Sequence, residues 1–320
     1  MSLTSPRRGP AAVILLLVVL TAAAVALVAL SACGTSDTAS TDASPSPSGI
    51  TVTDDAGNTV ALAQPAERIV SLAPANTEIV FAVGAGDKLM AGTSYDDYPE
   101  AAKDLPKVGD FSNPSVEKIA SFNPDLVLAT GGIQAGLLKK LEKLGMQVYV
   151  LEPKTYDAVM RTITNVGQLT GTSDQATTVV DGMQKAKDDV QAAVGSLDPA
   201  ATFLEIYSKP LMTAGTDTFI DDMIRIAGGT NLGAMAGSGF PNFSSEVLFR
   251  ENPAVYIADS GSMSKPGPIA KRAGYAELDA IKNGHVYVIE DSLIARPGPR
   301  LAQGLQELAK MIHPEAYGTE

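Results

Sequence analysis

Residues that could carry catalytic or metal chemistry are few in this chain of 320 residues. It contains two histidines, His285 and His313, and one cysteine, Cys33. An internal disulfide is therefore impossible, and neither a Cys/His zinc cluster nor a Cys–His catalytic centre can be assembled. The sequence predicts no resident metal and no cofactor.

Motifs of enzymes and of nucleic-acid-binding proteins are equally scarce. Gly84 and Gly86 match half of a dinucleotide-binding fingerprint, but Leu89 occupies the position of its third glycine. A nucleophile elbow, a Walker loop and an HExxH motif are all absent from the sequence. A net charge of -12 disfavours binding to a phosphate backbone. We therefore expect neither an enzyme nor a nucleic-acid-binding protein.

Cys33 ends a segment that is typical of an export signal. Arg7 and Arg8 precede an almost wholly apolar run over residues 11–32, which is long enough to span a bilayer. Residues 30–34 (LSACG) resemble a bacterial lipobox, whose cysteine receives a diacylglyceryl group and becomes the new N-terminus. We predict a lipoprotein signal peptide over 1–32 and lipidation at Cys33, in preference to a retained transmembrane anchor. The lipid would hold the protein on the outer face of the cytoplasmic membrane.

The remaining sequence predicts an α/β fold of two lobes. Residues 33–49 are rich in Ser, Thr and Pro, which indicates a flexible tether. Apolar residues recur every three or four positions over 173–196, which predicts one long helix with Ser173 as its N-cap. We expect a Rossmann-like N-lobe over 50–172 and a second such lobe over 197–320, with a ligand cleft between them. The predicted strands are 68–73, 125–129, 147–151, 202–207, 254–258 and 285–289.

Two stretches that lie 129 positions apart repeat one pattern. Each predicts an aromatic loop, a short helix, an Asn-Pro turn and a buried strand, with Ser115 and Ser244 as N-caps. A shared helix-start signal would explain Ser-x-Glu but not the phenylalanine four residues earlier in both copies. We therefore infer two related lobes that face each other. The identical pairs are Phe111 and Phe240, Asn113 and Asn242, Ser115 and Ser244, Glu117 and Glu246, Asn123 and Asn252, Pro124 and Pro253, and Ala129 and Ala258.

Three strings carry a resemblance to a known family: SLAPANTE at 71–78, SYDDYP at 94–99 and VEKIASFNPDLV at 116–127. Over nearly all of residues 50–315, the chain resembles the helical-backbone (class III) substrate-binding lipoproteins of ABC transporters, especially the vitamin B12-binding family. The resemblance implies a monomer that captures cobalamin or a related corrinoid. It also implies delivery to a dimeric permease with cytoplasmic ATPase subunits. The matching positions for the permease-docking glutamates are Glu117 and Glu246.

The resemblance also implies which residues contact the ligand. Aromatic side chains line the family's corrinoid pocket, and the matching positions here are Tyr95, Phe111 and Phe240, with Tyr207 and Phe243 as neighbours. Family members place tryptophans in this pocket, whereas this chain has none, so phenylalanine would offer a smaller stacking surface.

One further contact and two alternatives complete the interpretation. Arg296, in the loop before the last helix, is expected to meet a carboxylate or phosphate of the ligand, whereas Arg300 is expected at the surface or in a salt bridge. An iron-siderophore or haem carrier of the same fold is the alternative within the family, although an acidic chain suits anionic siderophores less well. An enzyme on an α/β fold is the alternative outside it.

Overall fold

The computed structural model describes residues 49–261 and 269–318. The predicted signal peptide, Cys33 and nearly all of the predicted tether lie outside the described residues. We call the elements before the longest helix the N-lobe and those after it the C-lobe.

The N-lobe is built on a parallel sheet of four strands in the order β4-β3-β5-β6. All residues of β3, β5 and β6 are buried, as expected for short Val/Leu-rich strands covered on both faces. An antiparallel hairpin, β1–β2, precedes this sheet. The strands are β1 (Ile50–Thr53), β2 (Thr59–Leu62), β3 (Ile69–Ser71), β4 (Leu89–Ala91), β5 (Leu126–Ala129) and β6 (Val148–Val150).

Helices connect the strands of the N-lobe. The longest of them, α4, begins after Thr155, whose hydroxyl accepts a hydrogen bond from the Ala158 amide, and ends at Gly171 in the left-handed conformation. The helices are α1 (Pro74–Ala82), α2 (Val116–Ser121), α3 (Ala135–Lys143) and α4 (Tyr156–Thr170).

One long helix, α5 (Ser173–Val194), joins the lobes, as the apolar periodicity predicts. Its buried side chains include Met183, Ala186 and Val190, and it packs on α4 and on the last long helix of the C-lobe. The N-cap prediction was wrong: Thr172 holds that position without a side-chain hydrogen bond, and Ser173 is the first helical residue.

The C-lobe sheet has the order β11-β10-β7-β8, and β9 also pairs with β7. Its pairs are parallel except β7 with β8, because those two strands are joined by a tight turn at Lys209 and Pro210. The elements are β7 (Ala200–Ser208), β8 (Leu211–Thr213), α6 (Phe219–Ile226), β9 (Gly229–Asn231), α7 (Ser245–Glu251), β10 (Val255–Asp259), α8 (Asp279–Lys282), β11 (Val286–Ile289), α9 (Asp291–Ile294) and α10 (Leu301–Ile312).

The repeated stretches have the same backbone course in both lobes. Asn123, just beyond the C-cap of α2, and Asn252, the C-cap of α7, have φ angles of 44° and 47°, a left-handed conformation that asparagine tolerates. A buried strand follows each turn, β5 in one lobe and β10 in the other. The caps differ: Ser115 accepts a hydrogen bond from the Lys118 amide, whereas Ser244 makes no side-chain capping bond.

All six predicted strands are present, but five others were missed: β1, β2, β4, β8 and β9. The strands β4, β8 and β9 contain no Val, Ile or aromatic residue, whereas the equally short β3 and β6 do, so the composition typical of a strand is missing. The predicted α/β fold of two lobes joined by one helix is confirmed.

Candidate ligand-binding cleft

A cavity of about 940 Å³ lies between the lobes. The N-lobe lines it with segments that follow the carboxyl ends of β3, β5 and β6, where open parallel sheets commonly bind ligands. The C-lobe contributes the loop before α6, the loop that carries Phe240 and the segment after α9. The lining segments are 73–76, 111–112, 130–133, 151–154, 217–219 and 295–297, together with Tyr95 and Phe240.

Three of the predicted aromatic residues meet at this cavity. Tyr95 and Phe111 line it from the N-lobe, and Phe240 lines it from the C-lobe. Tyr95 and Phe240 are 60% and 49% exposed, and Phe111 is half-buried. Rings this open can each offer a face to a flat apolar ligand.

Buried Gln134 holds the Phe111 loop in place, a role that the sequence interpretation missed. Its side-chain amide donates to the carbonyl oxygens of Leu72 at 2.8 Å and Phe111 at 2.9 Å. Its carbonyl accepts from the Thr130 amide at 3.0 Å. Gln134 therefore ties the aromatic loop to the ends of β3 and β5.

The other two predicted aromatic residues do not line the cavity. Phe243 is only 6% exposed and packs against Phe203 with ring centroids 4.9 Å apart, inside the C-lobe core. Tyr207 lies on β7, where its backbone pairs with Met212 of β8. The structure thus places both outside the cleft, and we leave them out of the proposed contacts.

Arg296 lines the cavity, but carboxylates of the N-lobe already surround its guanidinium. It donates to Glu78 at 3.0 Å and to Asp97 at 3.2 Å, and Arg300 also donates to Glu78, at 2.6 and 2.9 Å. The Glu78 side chain is 2% exposed, whereas both arginine side chains are 19% exposed. We call these four residues the interlobe ion cluster.

Two more contacts define the interlobe ion cluster. The hydrogen bond from Arg296 holds the pKa of the Asp97 carboxyl below its usual value, so this carboxylate stays charged beside the cleft. The Arg300 guanidinium lies 4.2 Å from the centroid of the Tyr98 ring, a cation–π contact. Arg300 precedes α10 as its N-cap residue. Its predicted salt bridge is present, and the guanidinium is largely buried.

The remaining charged groups of the cavity wall differ in their pairing. Lys154 and Glu152 form an ion pair at 2.9 Å, which is largely exposed to solvent. Asp217 is exposed on the C-lobe side, and no ion pair or side-chain hydrogen bond joins it to any other residue that the structure describes. The lining also includes buried Asn76, whose Nδ2 atom has no partner among the described residues.

Glu117 and Glu246 lie away from the cavity lining, in the first turns of α2 and α7. Both side chains are exposed, and neither takes part in an ion pair within residues 49–261 and 269–318. Acidic residues at these positions interact favourably with the positive ends of their helices.

Over the described part of the chain, no group of three or more His, Cys, Asp or Glu residues could hold a metal ion. The same residues include no helix that is both long and apolar enough to cross a membrane.

Two α/β lobes, one connecting helix and an aromatic-lined cleft define a bilobal binding protein. The chain belongs to the periplasmic binding protein family, whose model matches residues 69–293. This match confirms the family resemblance carried by the three sequence strings.

Individual relatives span most of the chain. It is 32% identical over 276 residues to an uncharacterized ABC transporter substrate-binding lipoprotein, YvrC, of Bacillus subtilis (84% of this chain, 87% of that protein). It is 32% identical over 254 residues to the vitamin B12-binding protein of Vibrio campbellii (77% of this chain, 89% of that protein).

Solved structures agree. The vitamin B12-binding protein BtuF of Vibrio cholerae superposes with a TM-score of 0.72 at 28% identity, covering 80% of this chain and 99% of that one. The haem-binding protein RhuT of Roseiflexus gives 0.68 at 28% identity, covering 78% and 99%.

Proposed function

We propose that this protein is the substrate-binding lipoprotein of an ABC importer, and that it captures cobalamin or a related corrinoid outside the cytoplasm. The relatives' names support the transport role. The proposal of a corrinoid rests on the cleft, where aromatic rings from both lobes line a cavity of about 940 Å³.

The charges of the cleft favour a corrinoid over anionic chelates. Haem propionates and ferric siderophores of the catecholate or carboxylate type present negative groups, which unpaired cations would complement. In the cleft, Arg296 is engaged by Glu78 and Asp97, and Lys154 is engaged by Glu152. A corrinoid carries neutral carboxamides around its ring and tolerates this balance. A haem carrier, as RhuT is, is the second candidate, because the exposed Lys154–Glu152 pair can open at little cost.

Calorimetric titration of the full-length protein in detergent with cyanocobalamin, haemin and a ferric siderophore tests the ligand class. We expect cyanocobalamin to bind most tightly. Phe111→Ala and Phe240→Ala should each weaken its binding about ten-fold or more, because stacking contributes about 0.5–1.5 kcal/mol beyond the buried area. Phe249→Ala, which removes a partly exposed ring outside the cavity lining, is the matched control. Tightest binding of haemin or the siderophore would contradict the corrinoid assignment.

The membrane and permease contacts belong to the same proposal. Lipidation at Cys33 is supported by the lipobox and by the lipoprotein YvrC among the relatives. Permease docking through Glu117 and Glu246 is supported by their exposure at equivalent positions of two related lobes. A pseudo-symmetric protein can thereby present one acidic contact to each half of a two-fold permease with ATPase subunits.

A further inference from the structure

The cleft contains an aspartate, Asp217, whose acidic side chain is not required by the local fold. Asp217 lines the cavity beside α6 with a φ angle of 59°, in the left-handed region that L-residues rarely adopt. Asparagine and glycine adopt this conformation at least as easily, so the backbone alone does not require an acid. Such conformations concentrate at functional sites.

The helix that follows does not need this acid either. Thr218 caps α6 by accepting a hydrogen bond from the Asp221 amide at 3.1 Å. Asp221 and Asp222 already place negative charge in the first turn of α6, where it interacts favourably with the helix dipole. Thr218, Asp221 and Asp222 thus cap α6 and stabilise its dipole without a contribution from Asp217.

Hydrogen bonds on both sides hold Asp217 in position. The Thr216 amide donates to the Gly237 carbonyl at 2.9 Å, and its carbonyl accepts from the Gly239 amide at 2.8 Å. On the other side, the Thr218 hydroxyl donates to the Gly215 carbonyl at 2.8 Å. The segment bonded to Thr216 leads directly to Phe240, so one backbone frame positions both the carboxylate and the aromatic ring.

Asp217 also differs from the other acids near the cleft. Glu78 and Asp97 are bound to arginines, and Glu152 is bound to Lys154. Within the described ranges, no ion pair or side-chain hydrogen bond engages Asp217. A ligand that enters the cavity therefore meets a fixed negative charge on the C-lobe side.

We infer that Asp217 is a specificity-determining residue: it accepts a hydrogen bond from an N–H group of the ligand and repels ligands with peripheral carboxylates. This inference rests on the proposed corrinoid-binding cleft and deepens it. It assigns the selected ligand class as neutral or cationic chelates with amide donors at their edge. The same macrocycle with a carboxylate in place of one carboxamide would be disfavoured.

The test compares Asp217→Asn, which keeps the side-chain shape and tolerates the left-handed backbone, with Asp198→Asn. Asp198 lies in an exposed loop outside the cavity lining, so this control removes the same charge elsewhere. The probes are cyanocobalamin, its monocarboxylic acid derivative and haemin, titrated against the full-length protein in detergent. Repeating the titrations in about 1 M salt, where the Debye length falls to about 3 Å, shows how much of the change in Kd is electrostatic.

We expect the wild type to bind the monocarboxylic acid more weakly than cyanocobalamin. Asp217→Asn should reduce the ratio of the two Kd values, monocarboxylic acid over cyanocobalamin, by about three- to ten-fold, as removal of one charge several ångströms away predicts. It should also strengthen haemin binding. High salt should shrink the effect, and Asp198→Asn should show none. A ratio that is the same in Asp217→Asn and in the wild type overturns the inference.

The two proposals fail in distinguishable ways. If the wild type binds corrinoids but Asp217→Asn changes no ratio, only the role of Asp217 is refuted. If the wild type prefers haemin, the corrinoid proposal fails, and the role of Asp217 survives only where Asp217→Asn binds haemin still more tightly. Binding of none of the probes contradicts both.

Discussion

Replacing Glu78 by Gln should destabilise the protein more than any exposed change of the same kind. Glu78 accepts three hydrogen bonds from Arg296 and Arg300, which come from the opposite lobe. Glutamine keeps the shape but removes the charge, and its NH₂ group would face guanidinium donors. The substitution therefore leaves two largely buried arginines with fewer acceptors.

The expected loss can be bounded from the structure. Removing one partner of a buried ion pair costs about 3–5 kcal/mol. Each arginine side chain is 19% exposed and Arg296 keeps Asp97, so we place the loss near the lower end, about 3 kcal/mol. At about 2–4 °C per kcal/mol, Tm should fall by roughly 6–12 °C.

Urea unfolding followed by circular dichroism, with a parallel thermal scan, measures this loss. The matched control is Glu307→Gln, because Glu307 forms only an exposed ion pair with Lys310 on α10. That control should change stability by about 0–1 kcal/mol. Equal stabilities of Glu78→Gln and Glu307→Gln would refute the view that the interlobe ion cluster fastens the two lobes together.

Three further predictions concern the anchor, the permease and pH. Cys33→Ser should abolish metabolic labelling with palmitate; undiminished labelling would disprove lipidation at Cys33. Reversing Glu117 and Glu246 to Lys should abolish uptake in cells while the Kd of the purified protein changes little, and a large loss of binding would place these residues in ligand capture. Burial raises the pKa of Asp259 to about 6, so the folded state holds this proton more tightly than the unfolded chain and loses stability as pH rises from about 4 through 6. Asp259→Asn should therefore be more stable than the wild type at pH 7.5, by about 1 kcal/mol after allowance for solvent screening, and equally stable at pH 4. Thermal scans measure both; a difference in stability that stays constant between these pH values would contradict the prediction.

The parts of the fold that could be predicted from sequence are those with a visible period or turn signal. The apolar spacing of α5 extends over 22 residues, long enough to separate a helix from chance. The β1–β2 hairpin could have been predicted as well, since alternating Thr and Val residues flank the turn at Asp54–Gly57. The antiparallel β7–β8 pair could not be recognised, because β8 contains no Val, Ile or aromatic residue to mark it as a strand.

Parts of the cleft were predictable because related motifs mark both lobes. Phe111 and Phe240 are equivalent positions of the repeat and reach the cavity together. Phe243 is three residues from Phe240, yet its ring faces the C-lobe core, a difference that composition does not reveal. The pairing of Glu78 with Arg296 joins residues 218 positions apart, and no local pattern predicts such a contact. The left-handed backbone of Asp217 likewise leaves no trace in its sequence neighbours.

The interlobe ion cluster has a consequence for the order in which a chain exported as proposed folds. Glu78 precedes Arg296 and Arg300 by more than 200 residues. Domains of a growing chain generally fold from the N-terminus onward, and an exported chain also emerges with its N-terminal end first. An N-lobe that has just emerged would therefore carry a carboxylate whose partners are not yet available, and that carboxylate must stay hydrated until Arg296 and Arg300 have emerged. Docking of the lobes is thus a late event of biogenesis, and a chain interrupted before residue 296 should remain an open, protease-sensitive intermediate.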